Sequence, residues 1–308
     1  MPTQAIARVV SVGYVPGYKY ADGIGSVDGI LYQRTDDGVC PLSHGSYGAI
    51  VVDPLGPITT LTQAFSKVTA SLKTILLNPG DYVEPAAALW PTLKGVSVIG
   101  LGGAAVTTIS AAAGTAVIDV IPGVQGSSYT GILQGVAIVH DLGSQSGIRF
   151  DNTAMTKKLG FNIVDCLFSP DDGEVDKSID VATHGDADNS IRIYVQGKIG
   201  QNEIGGRVYF KVGNLADRLH LENCWLVGGD GGANAAVYTS SDALDFRLRL
   251  FRCVLPYQSG TSGGNGLQRI AAVNCYSWVD YHDLTPELFR AFATGDMIGS
   301  HSEATIVA

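Results

Sequence analysis

Asp171-Asp172 is an adjacent carboxylate pair, and His184-Gly185-Asp186 and Arg192-Ile193-Tyr194 follow it closely. Two carboxylates, one as acid and one as nucleophile or base, are what glycoside hydrolysis requires. If the chain is an enzyme, Asp171, Asp172, His184 and Arg192 are its candidate catalytic residues. The same stretch has a plainer reading, because Asp171-Asp172-Gly173-Glu174 comes directly after Pro170 and has the composition of a solvated turn. A calcium-dependent lyase would instead need clustered acidic ligands and an Arg or Lys base. Asp165, Asp180 and Glu222 fall in strand-like segments, but Asp165 shares one slot beside a cysteine with Asn223 and Asn274, which reads as a corner ladder. His140-Asp141 and His220 are scattered, so no metal site is expected, and no cofactor. The glycine-rich runs at Gly228 to Gly232 and Gly260 to Gly266 lack the Lys-Ser/Thr of a phosphate loop and read as long corner loops.

What would position such residues is a repeat. Phe161 to Phe168, Leu219 to Leu226 and Leu248 to Leu255 align on Cys166, Cys224 and Cys253, with apolar residues five and three places before each cysteine and two after it. Ile270 to Cys275 repeats the first part, and Ile191 to Gln196 fits with Gln196 in the cysteine slot. The slots recur every ~22 to 30 residues, the period of a solenoid coil. A parallel strand cannot be reached by a tight hairpin, so each coil needs short strands and Gly or Asn corners, and stacking buries the apolar alternation. Cys166, Cys224, Cys253 and Cys275 then form a structural stack of small apolar side chains in the core.

Ahead of the repeat, Leu61, Ala64, Phe65, Val68 and Leu72 lie three or four apart, which predicts a helix over Thr59 to Leu72. The buried strand Thr74 to Leu77 follows, then the turn Pro79-Gly80-Asp81-Tyr82 and a strand over Leu93 to Ile99. Gly95 to Ile118 carries no charge, but its glycines and threonines break it into short strands and exclude a membrane span. The order helix, apolar strand, Pro-Gly-x-Tyr and Lys94-Gly95-Val96-Ser97-Val98-Ile99-Gly100 resembles the start of pectate-lyase-like right-handed parallel β-helices. That resemblance implies an all-β fold: a single-stranded right-handed parallel β-helix over residues 58–278 with an N-terminal capping helix. An irregular arm over 1–57 precedes it, and a short C-terminal helix and tail over 279–308 follow, the helix entering at Thr285-Pro286. The order Asp-Asp, His-Gly, Arg-Ile is also similar to the signatures of polygalacturonases. Here Tyr194 stands where they have Lys, no Asn-Thr-Asp precedes, and the three elements crowd into about one coil.

The chain has 308 residues, 45% hydrophobic and 16% charged, with 39 glycines. That composition folds, and it favours an architecture of many turns. Net charge −9 opposes binding to nucleic acid or an anionic membrane. Five cysteines without close pairs suggest a reducing compartment, and Met1 to Val12 has no continuous apolar core of a secretory signal. Compact β-helices with an irregular N-terminal arm resemble virion proteins of tailed bacteriophages. The resemblance implies a capsid decoration or cement protein, or a head fibre, assembled in the host cytoplasm as a homotrimer and bound to a major capsid or tail protein through its arm. Tyr14, Tyr18, Tyr20 and Tyr32 are the expected partner contacts there, since aromatic residues at low charge suit protein interfaces. The alternatives are a tailspike depolymerase, lyase or glycoside hydrolase, or a noncatalytic virion protein that binds a host surface glycan.

Overall fold

The computed structural model describes residues 24–27, 30–35, 38–41, 49–121, 129–140, 145–151, 158–170, 177–183, 190–197, 203–211, 217–226, 237–239, 247–255, 270–273, 276–277, 297–298 and 301–302. From Ala49 onward the strands form a parallel β-solenoid. Each coil passes through three sheets in turn: Val96–Gly100 in the first, Thr107–Ala111 in the second and Ala116–Val120 in the third. The next coil repeats the order with Tyr129–Gln134, Ala137–His140 and Ser146–Asp151, each hydrogen-bonded to its counterpart below. Alternation of side chains makes this work, since Val96–Gly100, Thr107–Ala111 and Leu159–Val164 all bury every second residue.

Register turns that alternation into columns. Ile50, Ile75, Val98, Leu133, Ile163, Val195, Leu221 and Leu250 pair in sequence up the first sheet, and all are buried. A second feature runs through the N-terminal coils: Phe65, Trp90, Phe161 and Phe150 form a chain of rings with centroids 5.3, 4.9 and 5.1 Å apart. Gly131 makes room for it, because a Cβ there would come within 2.5 Å of the Phe161 ring.

The helix is shorter than its apolar spacing predicts. It spans Leu61–Phe65, not Thr59 to Leu72, and packs on the strands Ala49–Val52, Gly80–Glu84 and Ala88–Leu89. Thr60 caps it by accepting from the Gln63 N–H, and the buried Glu84 carboxylate accepts from the N–H groups of Leu61 and Thr62 at 2.5 and 3.0 Å. Beyond Phe65 a side-chain competitor takes over: Thr69 accepts through its hydroxyl from the Leu72 N–H, closing a turn. Val68 and Leu72 still reach the core from that turn, so the apolar spacing is satisfied without a longer helix. The turn expected over Pro79-Gly80-Asp81-Tyr82 is also corrected: Gly80–Glu84 is a strand paired with Thr107–Ala111, and Tyr82 is buried from it, its hydroxyl 2.6 Å from the Asn78 carbonyl and 3.0 Å from that of Val52.

Three further expectations are corrected. Gln196 does not occupy the cysteine slot: it pairs with Val164 and Glu222, each two residues before a cysteine. A period-two apolar pattern survives a two-residue slip, so the alignment could not detect it. The strand expected from Leu93 begins at Val96, because Lys94 and Gly95 make the preceding turn, with Gly95 at φ +80°. The ladder also runs past Trp278, since Met297–Ile298 and His301–Ser302 join the first and second sheets; strands of two residues are too short to display alternation. The helix expected from Thr285 lies outside the described residues. Near the N-terminus, Ile24–Val27, Ile30–Thr35 and Gly38–Pro41 pair antiparallel and extend the first sheet through Ile30 and Ile50.

Candidate functional site

The charged residues that the fold does bring together sit on the third sheet. Its register pairs Asp119 with Arg149, Arg149 with Asp180 and Asp180 with Tyr209, one residue from each of four successive coils. Arg149 donates to Asp119 through both arms of its guanidinium, at 2.7 and 3.0 Å. On the other side of Arg149, Asp180 accepts from Ser146 Oγ at 3.2 Å and from Lys177 Nζ at 3.4 Å. Lys177 in turn lies over the Tyr209 ring, 4.4 Å from its centroid.

The electrostatics follow from burial. Asp180 is only 4% exposed. Desolvation raises its carboxyl above the ordinary aspartate range, and Lys177 and Ser146 pull it partly back. Arg149 is held more firmly charged by its hydrogen bonds to Asp119. The two aspartates are two strands apart, about 10 Å at ordinary strand spacing. That exceeds the ~5 Å of a double-displacement pair and reaches the upper end of the range for inversion. Each carboxylate, however, is already engaged by a cation or a hydroxyl from another part of the same sheet. Chemically the row is a brace that ties three coils together in one register.

A second buried polar set lies at the corner between the second and third sheets. His140 contacts the Gln145 carbonyl through Nδ1 at 3.1 Å and Ser178 Oγ through Nε2 at 3.2 Å, and Ser178 accepts from the Gly206 N–H at 2.8 Å. All of this is sealed from solvent, so the Ser–His contact stitches coils and presents no nucleophile.

Of the candidates read from the sequence, Asp171, Asp172 and His184 lie outside the described residues, as do Tyr14, Tyr18, Tyr20 and Cys275. Arg192 stands on the outer face of the first sheet, between the buried Ile191 and Ile193. It is on a different sheet from the aspartate row. Tyr32 falls in the antiparallel strand Ile30–Thr35. Cys166, Cys224 and Cys253 are buried, each at the corner that leaves the first sheet. Pairing of Glu222 with Phe251 and of Trp225 with Val254 brings the second and third of these onto adjacent coils in the same slot. Each thiol points at backbone carbonyls, Cys253 at that of Leu221 at 3.3 Å. Burial pushes the Cys166 thiol up to about 12, which leaves no nucleophilic thiolate near neutral pH. The residue before each cysteine turns the corner in the left-handed region: Asp165, Asn223 and Arg252 at φ 50°, 54° and 51°.

The Asp119, Arg149 and Asp180 row was missed by motif reading, and only Asp180 had been noted as lying in a strand. The signal existed: the hydrogen-bonded pair Arg149 and Asp119 is 30 residues apart, one coil. Charges of opposite sign at the coil period would have found it. Among the described residues no group of three His, Cys, Asp or Glu side chains could hold a metal ion, and no helix is long and apolar enough to cross a membrane. No family model matches the chain, and no curated protein matches its sequence.

Proposed function

We propose that this protein is a structural component of a tailed-bacteriophage virion: a capsid decoration, cement or head-fibre protein. In this reading it is a right-handed β-helix, capped by its helix, that assembles as a homotrimer in the host cytoplasm and attaches through residues 1–57. The observation that carries the reading is where apolar surface is left uncovered. Among the described residues, the exposed large apolar side chains are Leu55, Val83, Leu89, Leu101, Val106 and Trp225, and all but Trp225 belong to the first coils. Exposed apolar side chains on the first coils suit contact with a partner, and Leu55 lies close to the point where the arm enters at Ala49. The engaged state of Asp119, Arg149 and Asp180 also favours a bracing role over a catalytic one.

The test is a purified virion. Mass spectrometry should find the chain in the particle, and a reconstruction should show its first coils seated on a capsid or tail lattice. Leu101→Lys combined with Val106→Lys should abolish incorporation while the purified variant keeps its melting temperature. Absence from the particle would end the reading. Release of new reducing ends or unsaturated products from host surface polysaccharide, lost in Asp180→Asn, would replace it with a depolymerase.

A further inference from the structure

The outer face of the first sheet changes character partway along. On the strand Ile191–Gln196 and the two that follow it, Arg218–Glu222 and Arg247–Phe251, register places Arg192, Arg218 and Arg247 in one row across neighbouring strands. The adjacent row is Tyr194, His220 and the exposed Arg249. Strands lie about 4.8 Å apart, and like charges directly opposite one another weaken a sheet. In a chain with 20 basic against 29 acidic residues, this row gathers one sign on one face. The third row offers a single carboxylate, Glu222, and its contact is with His220 at 3.4 Å. Arg192 Nε is buried and has no hydrogen-bond partner among the described residues.

We propose that this face docks an acidic polypeptide segment of a partner protein, laid along the solenoid axis so that its carboxylates meet successive arginines. The inference rests on the assembly reading for the kind of partner, and it adds a second contact surface away from the attachment end. Arginine presents a planar fork that matches carboxylates. Arginine with aromatic residues and no lysine is the composition of a protein interface, and these three strands carry no lysine. The Tyr194 and His220 rings are tilted by 42°, so they do not form one flat platform for a sugar.

The experiment titrates the full chain into fluorescein-labelled poly-L-glutamate and follows anisotropy at about 50 and about 300 mM salt. Saturable binding is expected, weakened by salt and weakened about tenfold or more in Arg192→Gln/Arg218→Gln. The charge-matched variant Lys67→Gln/Lys94→Gln, altered at exposed positions elsewhere, should bind like the parent. If the double arginine variant fails to fold, Arg249→Gln supplies the same comparison from an exposed position. Equal loss in the lysine variant reduces the effect to overall charge and overturns the proposal. So does an absence of binding, or tighter binding of labelled alginate or oligo-dT, which would reassign the face to an acidic glycan or a nucleic acid. Presence of the chain in virions is read independently, so failure here leaves the assembly reading standing.

Discussion

The two halves of the solenoid share one backbone plan and differ in what they put inside and outside it. The N-terminal coils are filled by the rings of Phe65, Trp90, Phe161 and Phe150, and the outer face of their first sheet carries neutral residues such as Ser97, Ile132 and Asn162. The C-terminal coils are filled by aliphatic columns, the single ring of Phe210 and the corner thiols Cys224 and Cys253 among the described residues, and the same face carries the arginine row. Because every coil repeats the same ladder of hydrogen bonds, the backbone does not select either filling. The difference teaches that in a solenoid the inward columns set how firmly a region holds together, while the outward rows are free to diverge and to carry recognition.

The largest expected effect contrasts the cores. Phe161→Ala removes a ring that touches two others and should cost about 3–5 kcal/mol, whereas Cys224→Ala removes one sulfur atom and should cost about 1 kcal/mol. Urea unfolding of both variants checks this, and equal losses would erase the distinction between the halves. A second effect belongs to the aspartate row at the centre of the molecule. The raised folded-state value of Asp180 means that the native chain holds a proton the unfolded chain releases first. Its contribution is therefore fully present below the unfolded aspartate value, about 4, and is lost as pH rises through the folded value. Asp180→Asn should lose less stability than the parent between about pH 4 and pH 7, and parallel pH slopes would show that Lys177 and Ser146 already cancel the burial. The smallest effect sharpens the outer-face contrast. Arg192→Gln should raise the stability of the isolated protein by a few tenths of a kcal/mol at low salt, and the gain should vanish at high salt. A loss of stability would mean that the row holds itself together.

Much of the framework was legible from particular residues. The cysteine slots located the corners, and Asp165 and Asn223 beside them are residue types that tolerate the left-handed conformation they adopt. Pro79-Gly80-Asp81-Tyr82 reads as a turn, but the strand of the second sheet already begins at Gly80, and Tyr82 is buried from that strand with its hydroxyl satisfied. The arginine row was not legible, because its coils differ in length. Arg192 pairs with Arg218, 26 positions on, and Arg218 with Arg247, 29 positions on, so no fixed period reveals that row. The helix was overextended because apolar spacing reports which side chains reach the core, not whether helix or turn delivers them. Corner loops of variable length hide lateral neighbours from the sequence while leaving each strand readable by itself.

Trp90 and Trp225 stand in different halves, the first wholly enclosed by the ring chain and the second 43% exposed in the second sheet. Two indoles in such unlike surroundings emit at separable wavelengths, so intrinsic fluorescence can watch each portion come apart by its own signal. Replacing Trp225 and Trp278 with phenylalanine would leave the blue-emitting lamp in the N-terminal coils as a built-in gauge of whether they loosen before the remainder.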